Sequence, residues 1–353
     1  MRRDIYPGEL LGEPLPESIL SVDGPDHVRL RRLVAPAFTP RRIERLRPYV
    51  RARARRLLSA MRVSERPADL MTDLARPLSM SVMCQLMGVP YRHRERFERW
   101  VIDAMAAHAP SQTVRRGRVR VTRYIGDLVQ AKRAEPADDV LSDLILATEQ
   151  DRLTPQELRT FGTVLLAAGY ESTAALLGSS VLLLLRDDQQ LRLLRRRPAL
   201  LTGAVDEALR RQAPFPRCVP RVAVEDMRLG TATIHASDLV IIDVQRANND
   251  PRHFPDPGCF QATRRAGRHL SFGHGAKHCL GAPLARMEVA EALTALLDAF
   301  PTLRQAVPDG ALTWRPQSIL TTLEGLPVTW DTANRGPRVR AARAAQAPEG
   351  VSR

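Results

Sequence analysis

The chain of 353 residues has few aromatics, 5% of the total, and four cysteines. So little aromatic surface, with no zinc-finger spacing and no recognisable DNA-binding module, argues against nucleic acid as a partner. Cys84, Cys218, Cys259 and Cys279 lie far apart without a C-x-x-C pair, which argues against a structural zinc site and a dense disulfide framework. An uninterrupted apolar span is also lacking. The most apolar run, "VLLAAGYESTAALLGSSVLLLLR", is broken by Gly169, Tyr170, Glu171, Ser172 and Thr173, so no membrane anchor is expected. The opening "MRRDIYPGELLG" has no apolar signal core, and the cytoplasm is the expected compartment. No internal repeat is visible.

Arginine is abundant. The formal net charge is +14, and eleven arginines fall between Arg29 and Arg56 against the single acid Glu44. Such a field attracts an acidic protein partner over long range. A further five arginines lie in the last stretch, from Thr332 to Arg353, which reads as a tail without fixed structure. Residues 1–331 read as one domain.

Hydrophobic periodicity gives helices over 26–35, 40–61, 69–87, 91–107, 112–133 and 140–149. In "LTPQEL", Thr154 is an N-cap, Pro155 the first helical residue and Glu157 the third, a capping box. From there an unbroken pattern runs to Leu185, about 30 residues or roughly 45 Å at 1.5 Å per residue. Strand-like alternation appears only in "CVPRVAVEDMRLGTATIHASDLVIIDV" and "ALTWRPQSILTTLEGLPVTW". The fold class is therefore mainly α with small β-sheets, α+β.

The stretch "SFGHGAKHCLG", Ser271 to Gly281, places Cys279 among three glycines and basic or titratable side chains. Leu280, Leu284, Met287, Leu293, Leu297 and Phe300 share a face of a helix that begins near Gly281 and Pro283, so Cys279 precedes that helix's positive end. A thiolate is favoured there and beside cations. The glycines let the turn approach a flat partner and aim N–H groups at the sulfur. A cysteine ligand to haem iron is a site of this design. A cysteine kept only for packing would not need Gly273, Gly275 and Gly281 in fixed register.

This segment resembles the haem-binding loop of the cytochrome P450 family, Phe-Gly-x-Gly-x-(His or Arg)-x-Cys-x-Gly, at Phe272, Gly273, Gly275, Lys277, Cys279 and Gly281. Lys277 stands at the basic position, with the histidine one place later at His278. "AGYEST" resembles the family's oxygen-activating segment. By that resemblance Gly169 makes room for dioxygen, Glu171 is the acid of a proton relay, and Ser172 stands where threonine is usual. "EALR" matches the structural Glu-x-x-Arg at Glu207 and Arg210, while "PGCF" has Cys259 where the completing arginine would be. His27 and Arg31 in "DGPDHVRLRRLV", Arg221 in "VPRVAVED" and His269 in "RHLSFG" match the contacts to the haem carboxylates.

The resemblance, over about residues 15–331, implies a haem between the long central helix and the cysteine loop. It further implies haem b as cofactor and dioxygen as co-substrate. One oxygen atom would enter a mid-sized organic substrate, with electrons from an acidic ferredoxin or similar donor to a monomeric enzyme. Only about 25 residues precede the His27 helix, where family members carry several tens, so the sheet is expected to lack edge partners. A catalytically impaired haem protein, or a basic nucleic-acid or scaffold protein without haem, is the alternative.

Overall fold

The computed structural model describes residues 18–105, 111–151, 153–218, 220–264, 269–315 and 320–331. The expected tail at 332–353 lies outside them. Helices dominate: α1 Gly24–Val34, α2 Pro40–Val63, α3 Arg76–Leu86, α4 Arg94–Met105, α5 Ser111–Ala134, α6 Val140–Asp151, α7 Pro155–Leu185, α8 Asp188–Arg196, α9 Leu201–Arg211, the single turn α10 Val244–Ala247, and α11 Ala282–Ala299. The strands are short: β1 Ala68–Asp69, β2 Arg221–Val222, β3 Met227–Leu229, β4 Ala232–Ile234, β5 Leu239–Val240, β6 Arg304–Gln305 and β7 Pro327–Thr329. A five-residue π-helical stretch, Met71–Ala75, leads into α3.

The central rod is α7. Its capping box is complete: Thr154 Oγ1 accepts from the Glu157 backbone N–H at 3.0 Å, and Glu157 Oε2 accepts from that of Thr154 at 2.8 Å. Glu157 is also ion-paired with Arg29, tying the first turn of α7 to α1. Leu158, Leu166, Tyr170, Leu176, Leu177, Val181 and Leu182 are buried. Burial of each large apolar side chain contributes roughly 1.5–3 kcal/mol. By length and apolarity α7 could span a bilayer, but 72% of its most apolar window is buried inside the protein, as befits a core helix.

Around this rod pack α3, α5, α9 and α11, while α2 lies along α11 and α4 pairs with α5. β1 and β6 flank β7 in an antiparallel sheet with Ala68 opposite Val328 and Gln305 opposite Val328. Among the described residues β2 pairs only with β5, and β3 only with β4 across a turn whose Gly230 has φ +62°. This region leaves Val224, Met227, Leu229, Leu239, Ile241 and Ile242 exposed.

The arginine run is less free than its charge suggests. Arg29 pairs with Glu157, Arg42 with Asp138 and Asp143, Arg45 with Asp138, Arg47 with Glu44 and Glu291, and Arg51 with Glu291. Arg41, Arg55 and Arg56 are exposed and form no ion pair among the described residues.

Candidate functional site

The loop before α11 is shaped by Gly273 at φ +73° and Gly275 at φ +70°, conformations that suit glycine. The Gly273 N–H donates to Leu270 O at 2.8 Å, the His278 N–H to Gly275 O at 3.0 Å, and the Cys279 N–H to Phe272 O at 2.8 Å. These bonds bring Cys279 to the first turn of α11, where its sulfur accepts from the N–H groups of Gly281 and Ala282. The residue is exposed, yet the protein packed around the thiol pushes its pKa up. The two N–H groups, Arg31 and Arg286 pull in the other direction. Desolvation dominates in the free thiol; coordination to a metal cation deprotonates such a group outright.

His27, Arg221 and Lys277 line one cavity of about 310 Å³, together with Asp23, Gly24, Val28, His274 and Ala276. Burial lowers the pKa of His27, and Lys277 and Arg31 lower it further. Lys277 Nζ lies 2.8 Å from Asp23 Oδ1 and donates to Val22 O at 2.7 Å. Arg31 Nη2 donates to the carbonyl of His278 at 2.7 Å, fixing α1 to the cysteine loop.

His269 stands elsewhere. Its Nε2 lies 3.4 Å from Asp206 Oδ1, which also accepts from Arg286 Nε at 2.7 Å. The Arg286 guanidinium covers the Phe272 ring, 4.5 Å from its centroid. The structure thus brings His27, Arg221 and Lys277 together, and sets His269 in a separate brace behind Phe272.

Midway along α7, Ala168 is exposed and Gly169 and Ser172 are half-buried, although Leu166, Tyr170 and Glu171 are buried. A cleft therefore reaches the core helix at this turn. Ser172 Oγ donates to the carbonyl of Ala168. The space beside Gly169 belongs to Met83 of α3: a Cβ there would lie 2.5 Å from the methionine sulfur. Ala168 is the more open of the two small residues at this turn. Glu171 is paired with Arg315, whose Nη1 lies 3.2 and 3.3 Å from the two carboxylate oxygens.

Glu207 and Arg210 form a buried bidentate pair with both bonds at 2.8 Å. Arg210 also donates to the carbonyls of Asn248 and Pro257. The third member is Arg264, whose Nε lies 3.1 Å from Glu207 Oε1. Its guanidinium reaches back to the carbonyls of Pro255, Asp256 and Cys259. Cys259 supplies a carbonyl, and an arginine five residues later supplies the charge. Arg264, Asp206, Arg286 and Arg315 were not singled out by sequence. The only local hint was an arginine pair closely following "PGCF".

A soft thiol with two N–H donors, a neighbouring cavity edged by basic groups, and a cleft that reaches a serine and an acid in the core helix suit a flat, dicarboxylate, iron-bearing group. Fold and site define a haem-thiolate protein.

A cytochrome P450 family model matches residues 111–311. Mycinamicin IV hydroxylase/epoxidase of Micromonospora griseorubida is 41% identical over 316 residues, 88% of this chain and 79% of that protein. 6-Deoxyerythronolide B hydroxylase of Saccharopolyspora erythraea is 39% identical over 88% of this chain and 77% of its own length. The crystal structure of the LnmA cytochrome P450 hydroxylase of the leinamycin pathway of Streptomyces atroolivaceus superposes with a TM-score of 0.85 and 41% identity, covering 90% of this chain and 83% of that one. The chain belongs to the cytochrome P450 family, whose cofactor is haem b and whose members are monooxygenases.

Proposed function

We propose that this protein hydroxylates, or oxidises in a related way, a mid-sized and largely apolar organic molecule of secondary metabolism. Two electrons come from an acidic ferredoxin-type donor, and the enzyme acts as a cytoplasmic monomer. The balance is substrate, dioxygen, two electrons and two protons to hydroxylated product and water. Relatives named as a mycinamicin IV hydroxylase/epoxidase, a 6-deoxyerythronolide B hydroxylase and a polyketide-biosynthesis cytochrome P450 support the substrate class.

Haem supplies dioxygen activation and oxygen-atom transfer when bound. The chain's residues divide the remaining work. Cys279 would hold the haem iron, its negative charge supported by the N–H groups of Gly281 and Ala282. Phe272 and Gly273 shape the loop that carries it. His27, Arg31, Arg221 and Lys277 would neutralise the haem carboxylates, and His269 steadies the loop through Asp206 and Arg286. Ser172 Oγ delivers protons into the cleft beside Ala168, and the Glu171 carboxyl resupplies it. Glu207, Arg210 and Arg264 brace the fold. Arg41, Arg55 and Arg56 remain for docking an acidic donor.

The observation that carries this reading is the Cys279 sulfur, held by two backbone N–H donors at the first turn of α11. Its test is reconstitution with hemin and the spectrum of the reduced, carbon monoxide-bound form. The wild type should give the thiolate signature and Cys279→Ala should not. An unchanged signature in Cys279→Ala overturns the reading, and so does failure of the wild type to take up hemin.

A further inference from the structure

We propose that Arg315 is the positioning residue that keeps Glu171 ionised and aimed for proton delivery, and that it does so from a hairpin joined to the cavity-lining loop after α9. The inference rests on the relay reading of Glu171 given above.

Glu171 has a side chain only 5% exposed. Among the described residues its sole hydrogen-bond donor is Arg315 Nη1, which spans both carboxylate oxygens. No other group among the described residues is hydrogen-bonded to this carboxylate. Arg76 of α3 uses its Nη2 on the carbonyls of Leu323 and Glu324. Glu98 of α4 is an acid, and the Tyr170 hydroxyl is buried without a hydrogen-bond partner. A carboxylate this deep, stripped of its one cation, takes up a proton or turns toward water. Either outcome spoils a group that must repeatedly accept a proton and pass it on.

The cation is held in turn by a rigid stem. The Arg315 N–H donates to Thr322 O at 3.0 Å and the Glu324 N–H to Thr313 O at 3.0 Å, with Trp314 bridged to Leu323. Arg76 clamps the stem from α3 at 2.9 Å. The Thr321 N–H donates to Pro214 O at 2.8 Å. Pro214 opens the loop that runs on to Arg221, a residue of the cavity wall.

The test uses the hemin-loaded enzyme with a surrogate ferredoxin, its reductase, NADPH and air, without added organic substrate. Arg315→Gln should raise the peroxide released per NADPH severalfold at pH 7. Arg315→Lys should restore the wild-type ratio. Infrared difference spectra of the haem-free protein should show a protonated carboxyl band at pH 7 in Arg315→Gln that is absent from wild type and from Arg315→Gln/Glu171→Gln. A wild-type peroxide ratio and no new band in Arg315→Gln overturn the proposal. Should Arg315→Gln fail to fold, an infrared band or raised peroxide ratio in Arg315→Lys counts against it, since the charge is retained there. A wild-type ratio in Glu171→Gln sinks the relay reading instead, and the infrared band still decides whether Arg315 sets the charge.

Discussion

Ser79 Oγ donates to Glu288 Oε1 at 2.7 Å, joining α3 to α11 in the interior. Glu288 is 2% exposed, with no ion pair among the described residues, and burial raises its pKa to about 7. The unfolded chain releases this proton near pH 4.5, whereas the folded chain holds it until about pH 7. Stability contributed by the neutral acid is thus complete below pH 4.5, falls as pH rises to about 7, and levels off above. The integrated loss is on the order of 3 kcal/mol. Glu288→Gln keeps an acceptor for Ser79 and should flatten this slope in denaturant midpoints taken between pH 5 and 8. Parallel curves for the two proteins would refute the assignment.

Arg264 closes the Glu207–Arg210 pair, so Arg264→Ala should leave Glu207 under-neutralised at a cost of about 3 kcal/mol. Cys259→Arg, at an exposed position whose carbonyl already serves the brace, should stay within about 0.5 kcal/mol of wild type. Urea unfolding of both variants decides. A neutral Arg264→Ala would mean that Arg210 satisfies Glu207 alone.

Lys277 divides its charge between Asp23 and the cavity. Lys277→Ala should speed hemin loss to apomyoglobin about fivefold, near 1 kcal/mol for a partly exposed pair. Asp23→Asn, which frees the lysine, should slow that loss or leave it unchanged. Faster loss from Asp23→Asn would show that the carboxylate orients the lysine rather than competing for it.

Because Arg29, Arg42, Arg45, Arg47 and Arg51 already face acids, charge reversal at Arg55 or Arg56 should slow ferredoxin-driven reduction more than reversal at Arg45. The effect should fade with added salt. Stopped-flow rates indifferent to ionic strength would remove electrostatic docking from the account.

Local signals carried far. The capping box placed the start of α7, and the glycine register around Cys279 placed the thiol at the head of α11. Residues 188–196 were not read as a helix, although Asp187 caps them by accepting from the Gln190 N–H at 3.0 Å, and the π-helical stretch at Met71–Ala75 is a departure in hydrogen bonding that composition does not encode. The partners of the site were also beyond local reading. Arg315 meets Glu171 across 144 positions and Arg286 meets Asp206 across 80. In so arginine-rich a chain, residue type alone does not select one guanidinium among many. Gly169 illustrates the same limit, since a missing side chain does not say which neighbour fills the space, and here it is Met83.

The fastening at the start of α7 acts on a hydroxyl a long way off. Ser172 is 17 residues past Pro155, about 25 Å along the axis, so a swing of roughly 3° about the Thr154 end carries the hydroxyl about 1.3 Å by simple leverage. A displacement near 1 Å is enough to cost a reaction about a hundredfold. With Ser172 in the proposed relay, Thr154, Glu157 and Arg29 would set its aim while remaining outside the cleft, and changes there should register as wasted reducing equivalents before they register as loss of fold.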